Sequence, residues 1–413
     1  MKELFNDYIK SIKTYIMFQI KADVARLKPE LDKKGRSPIN LSMGAPLKSP
    51  PKYFFDKFYE AMQEDGVHTY SSPKGEKFFI DAIVKRMKDR YGVEVDGASE
   101  VCSLLGSKEG IANLIRVLIN PTLDVNEQEV IFIPDPGYAS YKEMIAVSGG
   151  KAYPLPLTPQ NNFMPNLDKE WENYIKEGGN PDKVKALIIN YPNNPLGASA
   201  TREYFVETIN FCKKHNILLI SDAAYADLYF DENEKPFSIL EFDGAKDVAV
   251  EFFSFSKPYA MTGMRIGWIC GNKEAVGKLA VLKSTIDSGL YKPLQSASAQ
   301  ILNSKEGDDY TYEATQELKE KQELFVKGLK ELGWGDFNIP TATFYLWLPI
   351  PERYNTAQEF CDDLLQTSGI VAVPGQAFGQ YGEGFFRVSI VCTKEQIIEC
   401  FERMKADGFY FSK

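Results

Sequence analysis

The stretch Lys185-Ala186-Leu187-Ile188-Ile189-Asn190-Tyr191, running into Pro192-Asn193-Asn194-Pro195, decides the fold. Four apolar residues in a row suit a strand covered on both faces, and the Pro/Asn cluster ends it in a turn. Ile217-Leu218-Leu219-Ile220-Ser221 has the same form and follows a helix-patterned stretch over 201–215. Working outward, strands are predicted over 101–105, 129–133, 248–256 and 265–271. A helix is predicted over 109–118 and a turn at Pro134-Asp135-Pro136-Gly137. This alternation predicts an α/β fold built on a mostly parallel, doubly wound sheet. Polar residues gather just after the strands, where open α/β sheets place their ligands.

Past residue 295 the pattern changes. A long polar helix is predicted over 311–332, then strands over 343–348, 371–373 and 386–390, with helices over 357–365 and from Lys394 onward. That reads as a smaller α+β unit. The expected division is a large domain over 50–295, a small domain over 296–413, and an N-terminal segment, 1–49, that joins the small one. A chain of 413 residues exceeds what one hydrophobic core usually fills, in keeping with two domains.

Composition narrows the function. Hydrophobic residues make up 44% and charged residues 25%, a globular profile. The net charge of −9 gives no general attraction to phosphate backbones or anionic lipid, so neither nucleic acid nor a membrane surface is an expected partner. The six cysteines form no CxxC pair and read as reduced core thiols. His68 and His215 are the only histidines, which rules out a histidine-rich metal site; they read as a turn residue and a helix end. Residues 1–18 interleave Glu3, Asp7, Lys10 and Lys13 with Leu4, Ile9, Ile12 and Tyr15, an amphipathic helix and not a secretory signal. No apolar run reaches the roughly 20 residues a spanning helix needs. A cytoplasmic protein is expected.

Chemistry-bearing residues follow the strands in order: Asn194, Asp222, Tyr225, Ser254, Ser256, Lys257 and Arg265. Singly, each has an ordinary reading as a turn, a helix cap or a strand-end lysine. Together they fit one problem. An aldehyde cofactor carried covalently on an amine needs a lysine in a partly desolvated place, and Lys257 directly follows an apolar strand. A pyridine ring acting as electron sink needs a carboxylate at its nitrogen, which Asp222 can supply. Asn194 and Tyr225 can donate to the ring's phenolic oxygen. A phosphate needs hydroxyls, a cation and a helix N-terminus; Ser254, Ser256 and Arg265 offer the first two, and the helix opening at Gly106-Ser107-Lys108 offers the third.

These pieces resemble the fold type I, class I/II aminotransferases, which use pyridoxal 5'-phosphate. The matching motifs are Tyr191-Pro192-Asn193-Asn194-Pro195-Leu196-Gly197, Asp222-Ala223-Ala224-Tyr225, Ser254-Phe255-Ser256-Lys257 with Arg265, and Phe386-Arg387-Val388-Ser389. The resemblance runs from about Asn40 to Ser389 and implies that fold, with its large domain and smaller α+β domain. It also implies roles. Lys257 and Asp222 are catalytic, and Arg387 forks the substrate α-carboxylate with Asn194 beside it. Tyr138 stacks on the ring, and the backbone of Gly44 touches the carboxylate. Tyr70 reaches the phosphate from a partner subunit, which implies a homodimer with shared active sites. Gly375 matches a structural turn.

Within the family, Leu105-Gly106-Ser107-Lys108-Glu109-Gly110, Ile133-Pro134-Asp135-Pro136-Gly137-Tyr138 and Lys257 to Trp268 are most similar to the LL-diaminopimelate aminotransferase group. That implies an amino acid donor, a dicarboxylic one, and 2-oxoglutarate as the oxo acid partner. Lys108 then stands either near the donor's distal carboxylate or at the phosphate, and Lys292 is a second distal-carboxylate candidate or a loop lysine. After Tyr70, plant-type members carry a glutamate for the distal ammonium; Ser71-Ser72-Pro73-Lys74-Gly75 has none. Aspartate, glutamate and succinyl-diaminopimelate stay open as donors. A pyridoxal-phosphate lyase would share Lys257, Asp222 and Arg387. A regulator built on the same fold would carry a DNA-binding module, and no helix-turn-helix-like pattern is read before Asn40.

Overall fold

Each apolar run becomes a strand. The computed structural model describes residues 6–10, 12 and 16–412. In chain order the strands are β1 (Ile39–Asn40), β2 (Val101–Leu104), β3 (Val130–Asp135), β4 (Lys151–Pro156), β5 (Val184–Ile189) and β6 (Leu218–Asp222). They continue with β7 (Ala249–Ser254), β8 (Gly267–Gly271), β9 (Tyr345–Pro349), β10 (Ile370–Val371), β11 (Val373–Pro374) and β12 (Phe385–Ser389). Seven of these form one sheet in the order β2-β8-β7-β6-β5-β3-β4. Six strands run the same way and β8 opposes its two neighbours.

Burial explains the unbroken apolar runs. Ala186 and Ile188 of β5 pack into one core with Ile220, Val250 and the helix Ser107–Leu118, while Leu187 and Ile189 pack into a second core on the other face. Each large apolar side chain so buried contributes roughly 1.5–3 kcal/mol. Two expectations needed correction. Strand β3 runs on through Pro134 to Asp135, where the sequence predicts a turn, because β4 pairs with it residue for residue as far as Pro156. Strand β4 itself went unread, because Pro154 and Pro156 mask it; an edge strand tolerates proline because one side of its ladder is unpaired.

The C-terminal part forms a three-stranded antiparallel sheet in the order β11-β12-β9, flanked by the helices Lys305–Glu331, Ala357–Ser368 and Lys394–Ala406. Strand β1 pairs in parallel with β10, Ile39 against Ile370. The amphipathic helix expected over 1–18 lies partly outside the described residues, including Glu3, Leu4, Lys13 and Tyr15. Asp7–Lys10 and Ile16–Lys33 are helical. No helix among the described residues is long and apolar enough to cross a membrane. All six cysteines are buried and unpaired.

Candidate active site

The parallel strands deliver their polar C-terminal ends to one place. Asp222 ends β6, Ser254 ends β7, and Asn190 and Asn194 follow β5. There a cavity of about 470 Å³ is lined by Gly44, Ser107, Lys108, Tyr138, Asn194, Asp222, Tyr225, Ser254, Ser256, Lys257, Arg265 and Arg387. These are the site residues singled out in the sequence, Tyr70 and Lys292 excepted. Tyr70 lies outside the cavity and is 88% exposed. Lys292 is also outside it; its Nζ donates to Thr69 Oγ1 at 2.6 Å, on the segment that carries Tyr70.

Lys257 and Asp222 line the same cavity and influence each other electrostatically. Lys257 Nζ donates to the Gly44 carbonyl at 2.5 Å and lies 5.8 Å from the Tyr225 ring centre. Burial, with Arg387 and Arg265 nearby, pulls its pKa down to about 8, against the opposing pull of Asp222. The neutral amine is therefore within reach near neutral pH. Burial raises the Asp222 carboxyl above its ordinary range, and Tyr141, Ala224 N–H and Lys257 oppose that rise. Tyr141 donates to Asp222 Oδ2 at 2.6 Å, and Asn190 Nδ2 donates to the Asp222 carbonyl at 2.7 Å.

Arg387, in the middle of β12, reaches the cavity through an aromatic box. Its Cζ lies 4.4 Å from the Tyr345 ring centre and 4.7 Å from that of Phe378. Nη1 donates to Asn194 Oδ1 at 2.9 Å and Nη2 to the Ser42 carbonyl at 2.8 Å, while Nε is buried without a hydrogen-bond partner among the described residues. The phenols of Tyr225 and Tyr345 meet at 3.0 Å.

At the other end of the cavity, the helix Ser107–Leu118 begins at Gly106 with no side-chain cap, so the partial positive charge of its first turn faces the site. Gly106 has φ 85°, and a Cβ there would lie 2.5 Å from Arg265 Nη2; only glycine permits this approach. Arg265 donates to the carbonyls of Leu105 and Thr262 at 3.1 and 2.9 Å. Ser254 and Ser256 are buried and line the same cavity. Lys108 Nζ lies 5.7 Å from the Tyr138 ring centre.

Sequence reasoning missed Asn190, Tyr141, Tyr345 and Phe378. Asn190 was visible as a buried-type polar residue inside an apolar strand end. The three aromatics carry no local signal, because long-range packing alone brings them to the site. No cluster of three or more His, Cys, Asp or Glu side chains among the described residues is arranged to hold a metal. The donor set fits pyridoxal phosphate instead. It offers a weakly basic lysine, a buried carboxylate on a neighbouring strand, and a cationic, hydroxyl-bearing helix N-terminus. The unpartnered Arg387 Nε marks a further place poised for an anion.

Fold and site together define a pyridoxal-phosphate enzyme of fold type I. The family model for aminotransferase class I and II matches residues 36–404. The LL-diaminopimelate aminotransferases of Halothermothrix orenii and Aquifex aeolicus are each 37% identical, over 98% and 97% of this chain and 99% and 98% of theirs. The apo structure of BacF from Bacillus subtilis superposes with a TM-score of 0.90 at 30% identity, covering 100% of both chains. The chain belongs to the class I and II aminotransferases and is a pyridoxal-phosphate-dependent transaminase.

Proposed function

We propose that this aminotransferase takes a dicarboxylic amino acid of the LL-diaminopimelate type as donor and 2-oxoglutarate as acceptor, with Lys257, Asp222 and Arg387 carrying the reaction. The carrying observation is the placement of these three side chains on one cavity, with the lysine's basicity lowered. Bound pyridoxal phosphate supplies an aldehyde carbon for amine exchange and a ring that takes up electron density from the substrate α-carbon. With the cofactor bound, Lys257 Nζ would hold its aldehyde carbon and, as the free amine, would move the proton at the substrate α-carbon. Asp222 keeps the ring nitrogen protonated. Tyr225 and Asn194 would donate to the ring oxygen, Tyr138 would pack on the ring, and Ser107, Ser254, Ser256 and Arg265 would hold the phosphate. Arg387 offers its planar fork to the α-carboxylate, a geometry lysine lacks, beside the Gly44 backbone.

The names of the relatives support the donor class. A panel of amino donors against 2-oxoglutarate, including LL-diaminopimelate, aspartate, glutamate and succinyl-diaminopimelate, tests it. Turnover of aspartate or glutamate without LL-diaminopimelate would overturn the donor assignment, and pyruvate with ammonia in the absence of an oxo acid would mark a lyase.

Lys108 reads the second carboxylate in this proposal. Lys108→Met should raise KM for a dicarboxylic donor roughly ten-fold, the loss of one charge-assisted contact, and leave alanine turnover nearly unchanged. Equal losses on both donors with weaker cofactor retention would assign Lys108 to the phosphate.

The exposure of Tyr70 supports a homodimer in which each subunit lends Tyr70 to its neighbour's phosphate. Mixing Tyr70→Phe subunits with Lys257→Ala subunits should then give hybrids with one intact site and activity above both parents. A mixture no more active than its parents would place Tyr70 outside the site. Beside a large domain, 50–295, the pairing of β1 with β10 supports the joining of the 1–49 segment to a small domain, 296–413. Six buried, unpaired thiols support a cytoplasmic location.

A further inference from the structure

The motif Pro134-Asp135-Pro136-Gly137 has no part in the chemistry above, yet its carboxylate is committed to a distant loop. Asp135 ends β3 and is buried. Its Oδ2 accepts from Gln380 N–H at 3.1 Å and its Oδ1 from Tyr381 N–H at 3.0 Å. Two residues on, Gly137 N–H donates to the Phe378 carbonyl at 2.9 Å. The loop closes on the carboxylate as tightly as backbone allows: Gly379 has φ 144°, and a Cβ there would lie 2.0 Å from Asp135 Oδ1. Burial raises the Asp135 carboxyl, while these two N–H groups and Lys142 pull it back.

The clasped loop carries Phe378, whose ring lies on Arg387 and also meets Trp347 edge-on at 6.0 Å. Phe378 lines the cavity. A carboxylate that spends both oxygens on two successive backbone N–H groups fixes the loop in position and orientation. We propose that Asp135 is a positioning residue: it clasps the 375–382 loop to the end of β3, holds the Phe378 ring against Arg387, and so sets the affinity for substrate carboxylate. This rests on the reading of Arg387 as the α-carboxylate site.

The test uses the holoenzyme. Asp135→Asn keeps the shape but replaces one acceptor oxygen by an amino group that opposes a backbone N–H. It should speed amide hydrogen exchange at Gln380 and Tyr381. It should also raise KM for donor and acceptor alike, and the Kd of the unreactive dicarboxylate maleate, by roughly ten-fold, the scale of one cation–aromatic contact. The cofactor absorbance and kcat should stay close to those of the parent. Gly379→Ala, with Asp135 intact, should reproduce this pattern by displacing the loop. In a Phe378→Ala background, Asp135→Asn should add nothing, as residues acting through one contact are non-additive. Unchanged exchange, unchanged KM and Kd, or a full additional loss in the Phe378→Ala background would each overturn the clasp. Arg387→Lys serves as the control: if it leaves KM and Kd unmoved, the Arg387 reading fails, whereas a large rise there with no effect of Asp135→Asn sinks the clasp alone.

Discussion

Replacing Lys257 by alanine should cut transamination at least about 10⁴-fold, the upper range for loss of a positioned acid–base group, and abolish the visible absorbance of the lysine-linked cofactor. The fold should survive. Lys257 Nζ has one acceptor among the described residues, the Gly44 carbonyl, and its burial and the like charges of Arg387 and Arg265 outweigh the attraction of Asp222. Its removal relieves that net penalty, so the melting temperature of the cofactor-free protein should not fall. Absorbance spectra with single-turnover assays check the first claim, and thermal unfolding checks the second. Survival of the lysine-linked chromophore in this variant would remove Lys257 from the assigned role.

Asp222→Asn should lower kcat by about 10²–10³-fold, the loss typical when a preorganised charge at a developing charge is removed. KM should change far less, since the proposed partner of Asp222 is the ring nitrogen and not the substrate carboxylate. Asparagine keeps an oxygen for the Tyr141 hydroxyl, so the bond at 2.6 Å can persist and stability should hold. Asp222→Ala would instead strand that buried phenol, a cost of about 1–3 kcal/mol. A parental kcat in Asp222→Asn would show that the negative charge has no catalytic role. Comparing the two variants in the same unfolding experiment separates the charge from the packing.

The legible part of the molecule was written locally. An unbroken run such as Ala186-Leu187-Ile188-Ile189 reads as a strand with two covered faces, and the structure divides it between two cores as that reading requires. Residues at the ends of such strands are carried to the sheet's ligand edge by the regular rise of the chain alone. That is why Asn194, Asp222, Ser254, Ser256 and Lys257 meet at one cavity. Strand β4 escaped because its two prolines imitate a loop, and only pairing with β3 makes it a strand.

Local pattern along the chain is enough for the α/β class, most of the strands and the polar residues at their ends, because hydrophobic periodicity and turn chemistry act over a few residues. What surrounds those residues comes from long-range packing. Tyr141 meets Asp222 across 81 positions, Arg387 meets Asn194 across 193, and Asp135 meets Tyr381 across 246. Contacts at such separations carry no local pattern. They arise only when strands far apart in the chain are packed and their side chains share one dry space, where burial shifts each pKa and each buried donor is driven to find an acceptor.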